Sequence, residues 1–67
     1  MKGFIEVTAK NGTHLLNVKY IEDVYEDEDG KFTIYLAFNA PDADEQDHIF
    51  PYESYDEVKR MIEEAME

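Results

Sequence analysis

The sequence contains no cysteine, which excludes both a disulfide framework and a thiolate metal site. Its three glycines stand alone, so no glycine-rich phosphate-binding loop is present. No apolar run approaches the roughly 20 residues of a membrane-spanning helix, and the first residues, MKGFIEVTAK, lack the apolar stretch of a signal peptide. We therefore expect a cytoplasmic protein with no membrane partner.

Basic residues are also scarce. Six Lys and Arg stand against 17 Asp and Glu, which gives a net charge of -11. Such a chain repels phosphate backbones at long range, so we expect no direct binding to nucleic acid. Hydrophobic residues make up 43% of the 67 residues, too many for a disordered chain. A chain of this length supports one core, and we expect a single small domain over residues 1–67.

A first hairpin is predicted at residues 11–12. Their sequence, Asn-Gly, tolerates positive φ at both central positions of a type I′ turn. A two-residue loop there pairs Val7 with Leu16. It also places four apolar residues on one face of the hairpin: Ile5, Val7, Leu16 and Val18.

The run VYEDEDGKFTIY, residues 24–35, suits either a calcium loop or a second hairpin. With Gly30 at the sixth position of a calcium loop, an apolar residue occupies the twelfth, where the bidentate carboxylate belongs. A three-residue loop with Gly30 in the left-handed conformation instead pairs Val24 with Ile34. We predict the hairpin, with no bound metal and no cofactor.

Two shorter patterns surround this hairpin. Ile21 and Val24 are three residues apart, a spacing that indicates a helical or bent turn. Residues 31–38 alternate, which predicts a strand with one buried face.

The next segments predict an exposed acidic loop at residues 39–47 and a short edge strand at residues 48–52. Pro51 cannot donate a ladder hydrogen bond and so favours the edge or the end of that strand. The pattern leaves open whether Ile49 or Phe50 points inward.

The C-terminal segment ESYDEVKRMIEEAME predicts a helix. Ser54 and Glu57 form a capping box at its start. Its apolar residues fall at helical spacing on one stripe: Val58, Met61, Ile62 and Ala65. Because this stripe must cover a sheet, we predict an α+β fold, with a curved, barrel-like antiparallel sheet of four to five strands and the helix packed on it.

The sequence contains no recognisable catalytic or metal-binding pattern. Ser54 is the only serine and already serves as a helix cap. His14, His48 and the acids of residues 42–47 have no recognisable ligand spacing, although the acids next to His48 could crowd a cation. We predict that the protein is not an enzyme and has no small-molecule substrate.

Several large side chains are predicted to point outward. The alternation places four of them opposite the core, and we take these as a candidate interaction face: Phe4, Leu15, Tyr25 and Tyr35. Exposed aromatic residues are typical of protein interfaces. The alternative is that a curved sheet buries both of its faces, in which case these side chains form no interface.

The order of turns, core positions and cap resembles the short flagellar FlbD-type family and related small bacterial proteins of unknown role. The matching positions are Asn11-Gly12, Leu16-Asn17, Ile21-Glu22, Val24, Thr33-Ile34, Leu36, Glu53-Ser54, Glu57-Val58 and Ile62. The resemblance implies a small cytoplasmic accessory or interaction protein, with no catalytic residues to transfer. The segment AFNAPDADEQDHIF departs from the family, which has a short turn there.

Three functions follow from these observations. The first is a non-enzymatic interaction module that associates with a protein partner or with itself. The second is an acidic mimic of nucleic acid, or an inhibitor of a basic protein, which would use the acidic clusters at residues 22–29, 42–47 and 53–67. The third is weak calcium binding by the acidic loops.

Overall fold

The structure, a computed structural model, describes residues 2–37 and 47–67. Their strands and α-helix are β1 (Phe4–Ala9), β2 (Gly12–Asn17), β3 (Ile21–Glu26), β4 (Phe32–Leu36), β5 (His48–Ile49) and α1 (Tyr55–Ala65). An α+β fold with antiparallel sheets and a C-terminal helix is thereby confirmed. The acidic loop predicted at residues 39–47 lies outside the described residues except for Asp47.

The described strands form two sheets, and the prediction of one barrel-like sheet is wrong. β1 pairs with β2, while β3, β4 and β5 form a separate sheet in that order. A short 3₁₀ turn, Val18–Tyr20, separates β2 from β3. On the other side a single bridge between Ala9 and Pro51 stands where a ladder would close the barrel. Proline has no N–H to continue such a ladder.

At the outer edge of β1, a glutamate side chain accepts the hydrogen bonds that a neighbouring strand would otherwise accept. The backbone N–H of Thr8 donates to both carboxylate oxygens of Glu53, at 2.9 and 3.1 Å, and the Thr8 hydroxyl donates at 2.8 Å. The N–H of Tyr52 donates to the Thr8 carbonyl at 2.7 Å. Desolvation raises the pKa of Glu53, but the hydrogen bonds from Thr8 and from its own N–H outweigh it and lower that pKa below its ordinary value.

The first hairpin has a different register from the predicted one. Its loop consists of residues 10–11, and Ile5 lies opposite Leu16. Neither loop residue has a positive φ, whereas Gly12 has a φ of 127°. The type I′ turn predicted at residues 11–12 is therefore not formed, because it needs positive φ at both central residues. The shift amounts to two residues, so Ile5 and Leu16 still face the core as predicted.

The second hairpin has the predicted loop. Val24 lies opposite Ile34, and Gly30 has a φ of 84°, in the left-handed region. The Asp27 carboxylate accepts hydrogen bonds from the backbone N–H groups of Asp29 and Lys31, each at 2.9 Å. The three-residue loop over residues 28–30 is confirmed, and the Asp27 side chain directly before it holds the turn together.

A β-bulge explains the spacing of Ile21 and Val24. The register of β3 against β4 shifts between Ile21 and Asp23, which leaves one extra residue on β3. Both apolar side chains therefore pack against the core, although three residues of regular strand would direct them to opposite faces. Of the two alternatives predicted here, a helical or a bent turn, the bulge forms the bend, and the 3₁₀ turn ends just before it at Tyr20.

The last strand is shorter than predicted. β5 comprises two residues, pairs with β4 and ends before Phe50. Ile49 is half-buried whereas Phe50 is 47% exposed, so Ile49 is the residue that points inward.

Helix α1 closes the core by packing against β1 and β3. The capping box at Ser54 and Glu57 is formed as predicted. The Tyr55 ring meets Phe32 edge-on, with 5.8 Å between ring centroids. The largest fully buried side chains come from both sheets and from the helix: Val7, Ile34 and Val58.

Backbone hydrogen bonds of a single residue, Gly3, connect the end of α1 to the first hairpin. The N–H of Gly3 donates to the carbonyl of Ala65, and the N–H of Val18 donates to the carbonyl of Gly3, both at 2.9 Å. Gly3 has a φ of 85°, a conformation that favours glycine.

Replacement of Val58 by alanine is predicted to destabilise the protein by about 2 kcal/mol, because it removes two methyl groups from a fully buried site and leaves a cavity. Chemical denaturation measures this change. Met66→Ala is the matched control: Met66 caps the same helix but is 70% exposed, and we expect a change below about 0.5 kcal/mol. Equal losses in the two variants would contradict this description of the core.

Glu53→Gln is predicted to weaken folding at neutral pH by about 1 kcal/mol or less, because the site is partly exposed and solvent screens it. Since folding lowers the pKa of Glu53, its carboxylate stabilises the fold above the unfolded-state pKa, near 4.5, and loses this effect as the pH falls through the folded-state value. The stability difference between wild type and variant should therefore shrink below a pH of about 4.5. Glu63→Gln, on the exposed face of α1, should show no such pH dependence, and an identical profile would argue against the role of Glu53.

Candidate protein-binding groove

The four residues of the candidate interaction face lie on different sheets. Tyr25 and Tyr35 belong to the sheet of β3, β4 and β5, whereas Phe4 and Leu15 belong to the sheet of β1 and β2. Phe4 is half-buried and lines a hollow with Met61 at the end of α1. Leu15 is 54% exposed. Only the two tyrosines line a common groove.

This aromatic groove crosses the outer face of the three-stranded sheet and has a volume of about 410 Å³. Strand pairing builds it, because Tyr25 lies opposite Thr33 and Tyr35 lies opposite His48. Since side chains alternate along a strand, these four point to the same side of the sheet. Phe50 follows His48 by two residues and completes the aromatic lining.

The aromatic rings of the groove brace one another. The centroids of Tyr35 and His48 are 6.1 Å apart, and those of His48 and Phe50 are 5.0 Å apart with a steep tilt between the rings. These separations are typical of favourable aromatic pairs. Tyr25 remains 51% exposed and Phe50 47% exposed. The groove therefore offers large apolar surfaces, and three of its rings, those of Tyr35, His48 and Phe50, already contact one another.

Thr33 forms the floor of the groove. Sequence alternation places it on the outer face of β4, yet it is only 5% exposed. β4 is the central strand of its sheet, and the side chains around the groove cover Thr33 from outside. A buried floor beneath exposed rings makes this face concave.

One end of the groove carries opposite charges. The Lys31 ammonium lies 4.6 Å from the centroid of the Phe50 ring, within the range of a cation–π interaction. Asp27, whose carboxylate accepts the backbone N–H of Lys31, also lines the groove. The hairpin loop thus places a cation on an aromatic ring next to a carboxylate.

His48 and Phe50 were not predicted as part of an interaction face. Their orientation depends on the pairing of β5 with β4, which joins residues far apart in sequence. The alternation of His48 and Phe50 around an inward Ile49 is the only local signal, and the short apolar run did not reveal which residue faces the core.

The other residues considered for chemistry serve structural contacts. His14 Nε2 lies 2.9 Å from the side-chain oxygen of Asn11, and His14 and His48 are on different sheets. The Ser54 hydroxyl accepts the Glu57 N–H at 3.1 Å as part of the helix cap. Within residues 2–37 and 47–67, no three His, Asp or Glu side chains are grouped so that they could hold a metal ion.

The helix found in the described part of the chain is too short and too polar to cross a membrane. No family model, curated protein or solved structure gives a significant match to this chain. The resemblance to the FlbD-type family stays a prediction.

Gly30→Ala is predicted to destabilise the second hairpin by about 1 kcal/mol, because a residue with a Cβ is strained at a φ of 84°. Denaturation monitored by tyrosine fluorescence measures the loss. Glu28→Ala changes the same loop at an exposed position and should be nearly neutral. If the two variants were equally stable, the loop would not require the left-handed glycine.

Proposed function

We propose that this protein is a small non-enzymatic interaction module that binds a protein partner through the aromatic groove. The observation that carries the proposal is the braced, half-exposed cluster of rings above the buried Thr33. Tyrosine and phenylalanine supply large contact areas with few rotatable bonds, which is why interfaces are enriched in them.

Ring-to-ring packing favours binding because it reduces the entropy that a partner must remove. His48 contacts the rings on both of its sides, so the central part of the groove is ordered before any partner arrives. Preorganisation of this kind improves affinity without adding contacts. A concave apolar surface with a few polar groups is also the usual form of a recognition site.

The charges around the groove indicate the chemistry of the partner. Asp27 lies at one end, and the neighbouring loop residues Glu28 and Asp29 are exposed and acidic. The chain as a whole carries a net charge of -11. We therefore expect a partner segment with apolar side chains for the rings and Lys or Arg residues beside them.

A non-enzymatic role is consistent with the engagement of the polar groups. The single serine is held in the capping box. Asp27 and Glu53 hold backbone N–H groups of the fold. These side chains are used for structure, and the proposal assigns them no chemistry.

Tyr25→Ala is predicted to weaken capture of the partner about tenfold, because Tyr25 is a half-exposed aromatic residue of the groove and truncation of such an anchor removes about 1.4 kcal/mol or more. The measurement is capture by the tagged protein from lysate of its host, with quantitative mass spectrometry. Tyr52→Ala is the matched control, since Tyr52 is 70% exposed and does not line the groove.

The salt dependence of the same capture separates this proposal from an acidic mimic of nucleic acid. A partner bound through the groove should persist at high salt and depend on Tyr25. Basic proteins attracted by charge alone should be lost steeply with salt and should bind both tyrosine variants equally. The second pattern, or identical capture by both variants, would reject the groove as the binding site.

A further inference from the structure

The outer edge of β2 leaves its backbone hydrogen-bonding groups open among the described residues. The hydrogen bond from Val18 to Gly3 fixes which pairs of the first hairpin are hydrogen-bonded. Because such pairs alternate in antiparallel strands, three residues of β2 direct backbone groups away from β1: Thr13, Leu15 and Asn17. The Asn17 carbonyl belongs to the 3₁₀ turn that Asn17 caps, so the open groups are its N–H and both groups of Thr13 and Leu15. The outward bonds of Thr8, across from Thr13, agree with this assignment.

Within residues 2–37 and 47–67, β2 also lacks the features that protect an edge strand. Natural edges carry charges, proline, bulges or a covering element. Residues 11–18 contain no Asp, Glu, Lys, Arg or Pro, although 34% of the chain is charged. No register shift interrupts the pairing of β2.

The other edges of the two sheets are protected. β3 has a bulge and carries Glu22, Asp23 and Glu26. β5 has two residues and is followed by Pro51. The outer edge of β1 is met by Glu53. Among the described strands, β2 therefore has the sheet edge that is open to pairing with another strand.

We infer that β2 pairs antiparallel with β2 of a second copy of this chain and joins the two hairpins into one continuous sheet. The two-fold axis passes at Leu15, which lies opposite Leu15 of the second copy, while Thr13 lies opposite Asn17. In this register both groups of Leu15 pair with those of the second copy and the Asn17 N–H donates to the Thr13 carbonyl, whereas shifting the axis to Thr13 or Asn17 moves the pairing beyond the strand ends.

The side chains suit this register. Leu15 is an aliphatic residue with 54% of its surface exposed, and the symmetric pairing places it against the same residue. No like charges meet, since β2 is uncharged. A second copy is therefore a better occupant than a basic partner, because this edge has no acidic side chain to attract one.

The net charge of -11 gives the association a distinctive salt dependence. The two copies repel each other at long range, and salt screens that repulsion. The dimer should therefore tighten as salt rises. A basic partner held by charge would show the opposite trend. The dimer and the groove use residues of different sheets, so this inference and the proposed groove function can fail separately.

The experiment is sedimentation equilibrium of the full chain over a range of concentrations at low and high salt. Wild type should dimerise more strongly at high salt. Leu15→Lys should weaken the dimer about tenfold, because it replaces an apolar pair with two like charges at the axis. The variant should still fold, because the site is exposed and Glu6 lies across from it.

Tyr52→Lys is the matched control, since it makes the same charge change at an exposed position outside both β2 and the aromatic groove. It should leave the dimer unchanged. Amide hydrogen exchange of the wild type supplies a readout without substitution: the N–H groups of Thr13, Leu15 and Asn17 should become protected as concentration rises.

A chain that stays monomeric at all concentrations and salts would overturn the inference. So would a dimer that forms with these amides unprotected or that is insensitive to Leu15→Lys, because it would use another surface.

Discussion

The packing of one helix against two separate sheets is the constraint on which the rest of this structure depends. Val58 is fully buried in one cluster with Val7 of the first sheet and Ile34 of the second. A chain of 67 residues can bury only a small hydrophobic core. The hairpins cannot separate without exposing this cluster, and their outer surfaces are therefore held in fixed positions by the helix beneath them.

Local chemistry explains which parts of the fold could be predicted. The second hairpin and the helix cap depend on residues within a few positions of each other, such as Asp27 with Lys31 and Ser54 with Glu57. In the first hairpin, a loop at residues 10–11 and a loop at residues 11–12 place the same apolar residues on the core face. Alternation cannot distinguish registers that differ by two residues. The two sheets stay apart where Glu53 binds the outer edge of β1 at Thr8. These two residues are 45 positions apart, and no sequence periodicity predicts their contact. Half of the aromatic groove was missed for the same reason, because His48 is oriented by β4.

The two surfaces assigned here differ in chemistry and in place. The aromatic groove, the proposed site for a protein partner, lies on the sheet whose hairpin loop contains Glu28 and Asp29. The open edge of β2 lies on the other sheet and offers backbone groups without charge. Binding at one does not cover the residues used at the other, so a dimer would present two grooves, and a partner with two matching segments would gain affinity by engaging both.

The joint between Thr8 and Glu53 also bears on how the chain folds. Each hairpin contains only local contacts and closes a short loop, whereas this joint closes 45 residues for a few hydrogen bonds. Loop-closure entropy makes such a contact unrewarding until the helix has gathered the two hairpins. The hairpins and the helix cap are thus the elements able to form early. The hydrogen bonds between the Glu53 carboxylate, just before α1, and Thr8 of the first sheet form late. Disruption of this joint should speed unfolding more than it slows folding.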